Sequence, residues 1–188
     1  NATSDYNTAV GYSTLGAVNS DGAGMNSAVG YNAGGSITSG LYNTILGANA
    51  GDGFDAESHN TFIGYAVGGN PSLDGAEKCV GIGSSALGGA ITQDGTISIG
   101  YNTLASLTAG AGNIAIGYTA MALATDNADN TVIGHNAFNA ADSGESNNVV
   151  IGSGAAGAMN TATCDNNVII GKDAGVGGVA TLAGCVAI

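Results

Sequence analysis

Residues 130–135 read NTVIGH, and the phrase keeps returning. It is NTAVGY at 7–12, NSAVGY at 26–31, NTILGA at 43–48, NTFIGY at 60–65 and NNVIIGK at 166–172. Anchored on its glycine, the phrase places Gly11, Gly30, Gly47, Gly64, Gly83, Gly100, Gly117, Gly134, Gly152 and Gly171 at spacings of 17 to 19 residues. A period this regular over 188 residues marks a repeat architecture, so 1–188 reads as one repeat domain.

The columns of the repeat indicate β-structure. One residue before the glycine stand Val10, Val29, Leu46, Ile63, Ile82, Ile99, Ile116, Ile133, Ile151, Ile170 and a closing Ile188, all branched aliphatics. Three before it stand mostly β-branched residues, from Thr8 and Ser27 to Val168 and Val186. Residues two apart share one face of a strand, and β-branched side chains suit a pleated surface. The expectation is an all-β chain, a parallel β-solenoid of about eleven 17–19-residue repeats, with these two columns lining the interior. The column between them (Ala9, Ala28, Ile45, Phe62 and their equivalents) then faces outward. It is largely apolar, so the outer face is expected to pack on another chain, in a trimer.

A second segment carries small residues three after the glycine, such as Ala33, Ala50 and Ala120. It predicts a thin roll with two strands per turn. The repeated glycine marks a turn that needs positive φ or close approach of stacked turns. The leading Asn suits side-chain hydrogen bonds that climb from rung to rung.

Composition excludes several functions. Fourteen acidic residues face only Lys78 and Lys172, for a formal net charge of −12, which disfavours nucleic acid and anionic membranes as partners. The uncharged stretches 22–51 and 95–125 are broken by Gly, Asn and hydroxyls, so neither reads as a membrane span. No nucleophile elbow or phosphate loop with its lysine is present, and His59 and His135 lie in different units. The chain reads as non-enzymatic and without a cofactor.

The phrases NIAIG (113–117), NVVIG (148–152), NVIIG (167–171) and the closing CVAI resemble the YadA-like head repeats of trimeric autotransporter adhesins. NTAVGY, NTFIGY and NTVIGH are also similar to repeat arrays of phage tail-fibre and related bacterial fibre proteins. The resemblance implies a left-handed parallel β-roll with three chains side by side, in an extracellular, cell-surface or virion fibre. The units here are longer than in the adhesin head.

Candidate sites follow from the columns. Tyr12, Tyr31, Tyr65, Tyr101 and Tyr118 directly follow the repeat glycine, and His135 takes the same slot. Such a column either covers the roll as stacked side chains, the favoured reading, or stacks on sugar rings of a cell-surface glycan or receptor. Asp52, Asp55 and Glu57 form the best calcium candidate, although the acids share no column; no other metal set is expected. Cys164 and Cys185 lie about one turn apart and are a candidate disulfide, although offset in register. Ice binding needs outward Thr in register, whereas Thr8, Thr44, Thr61 and Thr131 share the face assigned to the interior. Neither end carries a polar cap, which points to end-to-end stacking or to continuation of the fibre. The function expected is a structural fibre or filament subunit; the alternative is an adhesin head using the Tyr column.

Overall fold

A computed structural model describes residues 6–18, 24–69, 75–89, 91–176 and 183–188. The strands are β1 (Thr8–Val10), β2 (Ser27–Val29), β3 (Thr44–Leu46), β4 (Thr61–Ile63), β5 (Val80–Ile82) and β6 (Ile97–Ile99). They continue as β7 (Ile114–Ile116), β8 (Thr131–Ile133), β9 (Val149–Ile151), β10 (Val168–Ile170) and β11 (Val186–Ala187). All eleven stack in chain order as one parallel sheet. Each phrase pairs in register with the next, Thr131 with Val149 and Ile133 with Ile151 for example. The chain is a parallel β-solenoid repeat protein.

The repeat glycine is fixed by both of the reasons expected. At Gly117 φ is +142°, and a Cβ there would lie 2.2 Å from the carbonyl oxygen of Gly134 on the next rung. Gly30, Gly47, Gly134 and Gly152 meet the same obstacle at 2.0–2.3 Å. No L-side chain fits that corner.

The two faces of the strand are the reverse of the sequence expectation. The middle residue points inward, with Ala28, Phe62, Ala115, Val132, Val150 and Ile169 buried. The branched aliphatics on either side of it point out, and Val10, Val29, Leu46 and Ile133 are exposed. The expectation equated a uniform column with a core. In fact the core column is the variable one, because its volume is compensated from elsewhere in the turn. Where the strand offers Phe62, Gly68 faces it, and a Cβ at Gly68 would sit 3.2 Å from the Phe62 ring. Where the strand offers Gly81, Val67, Phe62 and Leu87 fill the space, with side-chain carbons 2.6, 3.0 and 3.4 Å from the position of a Gly81 Cβ. Leu104, Met121 and Phe138 do the same on later rungs, and Ile37, Phe54, Ile91, Leu107 and Met159 close the core behind them. Close packing demands that the sum, not each column, be conserved from rung to rung.

The second segment is not a strand among the described residues; it is a run of turns. Its corners are left-handed, at Asn102 (φ 54°) and Leu104 (φ 49°) for instance, and repeat at Thr119 and Met121. The small residues between them, Ala33, Ala50, Ala120 and Ala137, are buried as expected.

The leading Asn is buried on every rung from Asn113 to Asn167 that carries it. Asn130 Oδ1 accepts the backbone N–H of Asn148 at 3.0 Å, and Asn148 Oδ1 that of Asn167 at 3.0 Å. The Nδ2 of Asn130 and that of Asn148 donate to the carbonyls of Glu145 and Cys164 on the following rungs. Each amide therefore staples its rung to the next. The same ladder joins Asn26, Asn43, Asn60 and the N–H of Cys79. It breaks at Cys79 and Thr96, and Thr96 Oγ1 is buried without a hydrogen-bond partner.

Candidate functional site

The outstanding surface is the outward face of the sheet. It consists of the first and third residues of each strand, and no rung places a charge there. With the middle residue consumed by the core, the outward residues line up along the columns, Val10 beside Val29, Val29 beside Leu46, and Ile133 between Ile116 and Ile151. Thr8, Thr44, Thr61 and Thr131 also lie on this outward face, contrary to the premise used against ice binding, but Val80, Ile97 and Ile114 interrupt the row.

Two exposed columns flank the face. On one side, directly after the glycine, stand Tyr12, Tyr31, Tyr65, Tyr101, Tyr118 and His135. Tyr101 and Tyr118 stack at 5.2 Å between centroids, and Tyr118 stacks on His135 at 5.2 Å. Tyr12 and Tyr31 stack likewise at 5.6 Å, whereas Ala48 leaves Tyr65 apart from them. The column is thus two short stacks rather than one. On the other side, directly before the slot of the leading Asn (Cys79 on the β5 rung), stand Tyr6, Met25, Tyr42, His59 and Lys78, all exposed. These adopt left-handed φ, between 59° and 72°. Tyr42 stacks on His59 at 4.8 Å. The sequence reading passed over this second column because its chemistry changes at nearly every rung; its only signal is the fixed place before Asn.

The acidic loop does not assemble a cation site. Glu57 is buried, and its carboxylate accepts the backbone N–H groups of Asp55 (2.8 Å), Ala56 (3.1 Å) and, one rung on, Gly75 (2.9 Å). Asp55 is exposed, and Asp52 accepts from Asn32 Nδ2 at 3.2 Å, with Oδ1 buried and unpartnered. Among the described residues no three metal-ligating side chains converge. Burial pushes the Asp52 carboxyl up. Glu145 behaves similarly: it is fully buried, Oε2 accepts from Asn127 Nδ2 at 2.7 Å, Oε1 has no partner, and burial pushes its carboxyl up. Both lysines pair with acids, Lys78 with Glu77 and Asp94 and Lys172 with Asp173.

Cys79, Cys164 and Cys185 are free thiols, so the candidate bridge between Cys164 and Cys185 is not formed. The register explains it: Cys185 holds the Asn slot, while Cys164 sits three residues before that slot, buried, with Sγ 3.0 Å from Thr161 Oγ1. No helix is long and apolar enough to cross a membrane among the described residues.

Compared with protein-family models, with curated proteins and with solved structures, the chain matches none.

Proposed function

We propose that the chain is a structural fibre or filament subunit that associates with copies of itself through the outward face of its sheet, at a virion or cell surface. The observation that carries this reading is the charge-free double column of Val, Ile, Leu and Thr, exposed at Val10, Val29, Leu46 and Ile133 and half-buried on most other rungs, on a chain that carries net charge −12 elsewhere. A face without charge, on a chain this acidic, favours burial against an equally apolar surface. The likeness of its phrases to trimeric fibre repeats supports three copies. The chain is non-enzymatic in this reading and needs no cofactor. Sedimentation velocity over a range of concentrations tests it: one species near three times 17.9 kDa is expected, or larger species that grow with concentration if rods also stack end to end. A monomer at all concentrations overturns it.

A second reading, an adhesin head that binds a glycan or receptor, is favoured by one observation: the exposed stack Tyr101–Tyr118–His135 presents ring faces and edges to solvent. Replacing both tyrosines by Ser and measuring attachment to cells, with self-association unchanged, tests it.

A further inference from the structure

The column directly after the repeat glycine contains two gaps, each one rung high. From the β2 rung to the β6 rung it runs Tyr31, Ala48, Tyr65, Ser84 and Tyr101. The main chain keeps its register through both gaps. The N–H of Asn49 donates to the Tyr31 carbonyl at 2.9 Å, and those of Ala66, Ser85 and Asn102 donate to the carbonyls of Ala48, Tyr65 and Ser84 at 3.0 Å each. Where tyrosines occupy successive rungs their rings are nearly parallel, 10° apart for Tyr12 and Tyr31 and 18° for Tyr101 and Tyr118. Tyr65 springs from the same corner, exposed, with Ala48 on the rung before it and Ser84 on the rung after. No ring of its own column therefore covers either of its faces.

Rungs stand about 4.8 Å apart, so each gap sets two phenol faces roughly 9.6 Å from each other. A flat ring in van der Waals contact with both walls needs only about 7 Å and would sit loosely there. A tetrahedral cation centred in the gap lies about 4.8 Å from each face, inside the roughly 6 Å over which a ring face attracts a cation. Charge favours such an occupant. The chain carries −12, and both of its lysines are engaged by acids: Lys78 by Glu77 and Asp94, and Lys172, four rungs beyond Tyr101 in this column, by Asp173. A neutral sugar of similar thickness gains nothing from that field. Resting on the second reading above, in which the Tyr column is a binding surface, we infer that the gaps at Ala48 and Ser84 are twin sites for a trimethylammonium group, such as that of choline. Tyr31 and Tyr65 wall the first site, and Tyr65 and Tyr101 the second. Ala48 and Ser84 are the small residues that leave the space open.

Proton NMR of choline chloride titrated with the whole chain tests this. Ring currents move the methyl line of a cation held between two ring faces upfield, so a saturable upfield shift is expected. The uncharged isostere with carbon in place of nitrogen, and methyl glucoside, should each shift at least tenfold less. Ala48→Tyr/Ser84→Tyr fills both gaps with the residue the column carries on five other rungs, and should abolish the shift. Tyr65→Leu removes the wall common to both sites and should do the same; circular dichroism confirms that each variant is folded. No shift with the parent chain, an equal shift of the uncharged isostere, or a shift that survives in the filled variant overturns the twin sites. Flotation with phosphatidylcholine vesicles distinguishes the source of a bound choline: flotation lost on filling the gaps assigns a lipid headgroup, and none assigns a choline carried outside a bilayer. The attachment assay on Tyr101 and Tyr118 fails separately. Attachment that needs those tyrosines without any choline shift keeps the second reading and removes its cation, whereas a choline shift without attachment does the reverse.

Discussion

Asn130 Oδ1 accepts the backbone N–H of Asn148 at 3.0 Å, while Asn130 Nδ2 reaches the Glu145 carbonyl at 2.9 Å; one side chain thus fixes two main-chain groups of the next rung. Both groups are buried, and neither is served by the strand ladder. The structure is held at this corner by amides as much as by apolar packing.

Asn130→Ala leaves both groups without partners. The expected loss is about 2–4 kcal/mol, given roughly 1–3 kcal/mol for each buried polar group orphaned. Thr96→Asn should act in the opposite sense: its amide can reach the Gly110 carbonyl and the N–H of Asn113, restoring the missing ladder step, for a gain of about 1 kcal/mol. Urea midpoints for the two variants check both signs.

Ile133→Lys and Val132→Lys separate the two faces of one strand. Ile133 is 37% exposed and Val132 is fully buried. Ile133→Lys should retain the far-ultraviolet circular dichroism and melting cooperativity of the parent but shift sedimentation to the monomer. Val132→Lys places an unpaired charge in the core and should abolish folding.

Gly117→Ala and Gly95→Ala separate geometry from composition. At Gly117 the methyl would lie 2.2 Å from Gly134 O, at a φ of +142°. The cost expected is upward of about 3 kcal/mol. At Gly95, φ is +75° and nothing lies within 4 Å, so the cost is the left-handed penalty alone, about 1–2 kcal/mol. Thermal melts rank the pair.

Glu145 sets a pH dependence with a definite sign. Burial raises its carboxyl above the ordinary 4.5, so the folded chain binds more protons than the unfolded one. Its contribution therefore weakens the fold as pH rises from 4.5 through the folded-state pKa, and Asp52 adds to the same trend. Glu145→Gln should flatten this fall and stabilise the protein at neutral pH, as read from midpoints across the range.

The sequence carried the repeat, the strands, the glycine corner and the Asn ladder, because each rests on one residue type at one offset. It misled on orientation. Val10 through Ile170 is uniform although it points away from the core, and Phe62, Gly81 and Ser98 differ although they all point into it. Side-chain identity at a single offset does not report volume shared among Phe62, Gly68 and Leu87, which only the folded turn brings together. The calcium candidate failed for a similar reason. Glu57 prefers three main-chain N–H groups, a choice invisible in the spacing of acids.

The variable loops have a consequence of their own. Units of 17 and 19 residues pair their strands in the same register, so the length of a unit does not change its one-strand step along the sheet. Height comes only from whole units, about 4.8 Å apiece. Excising one unit, residues 113–129, would shorten the rod by a single step and leave Thr96 followed by Asn130 in the ladder. The protein behaves as a ruler whose markings are repeats, and whose ornament can change without altering its length.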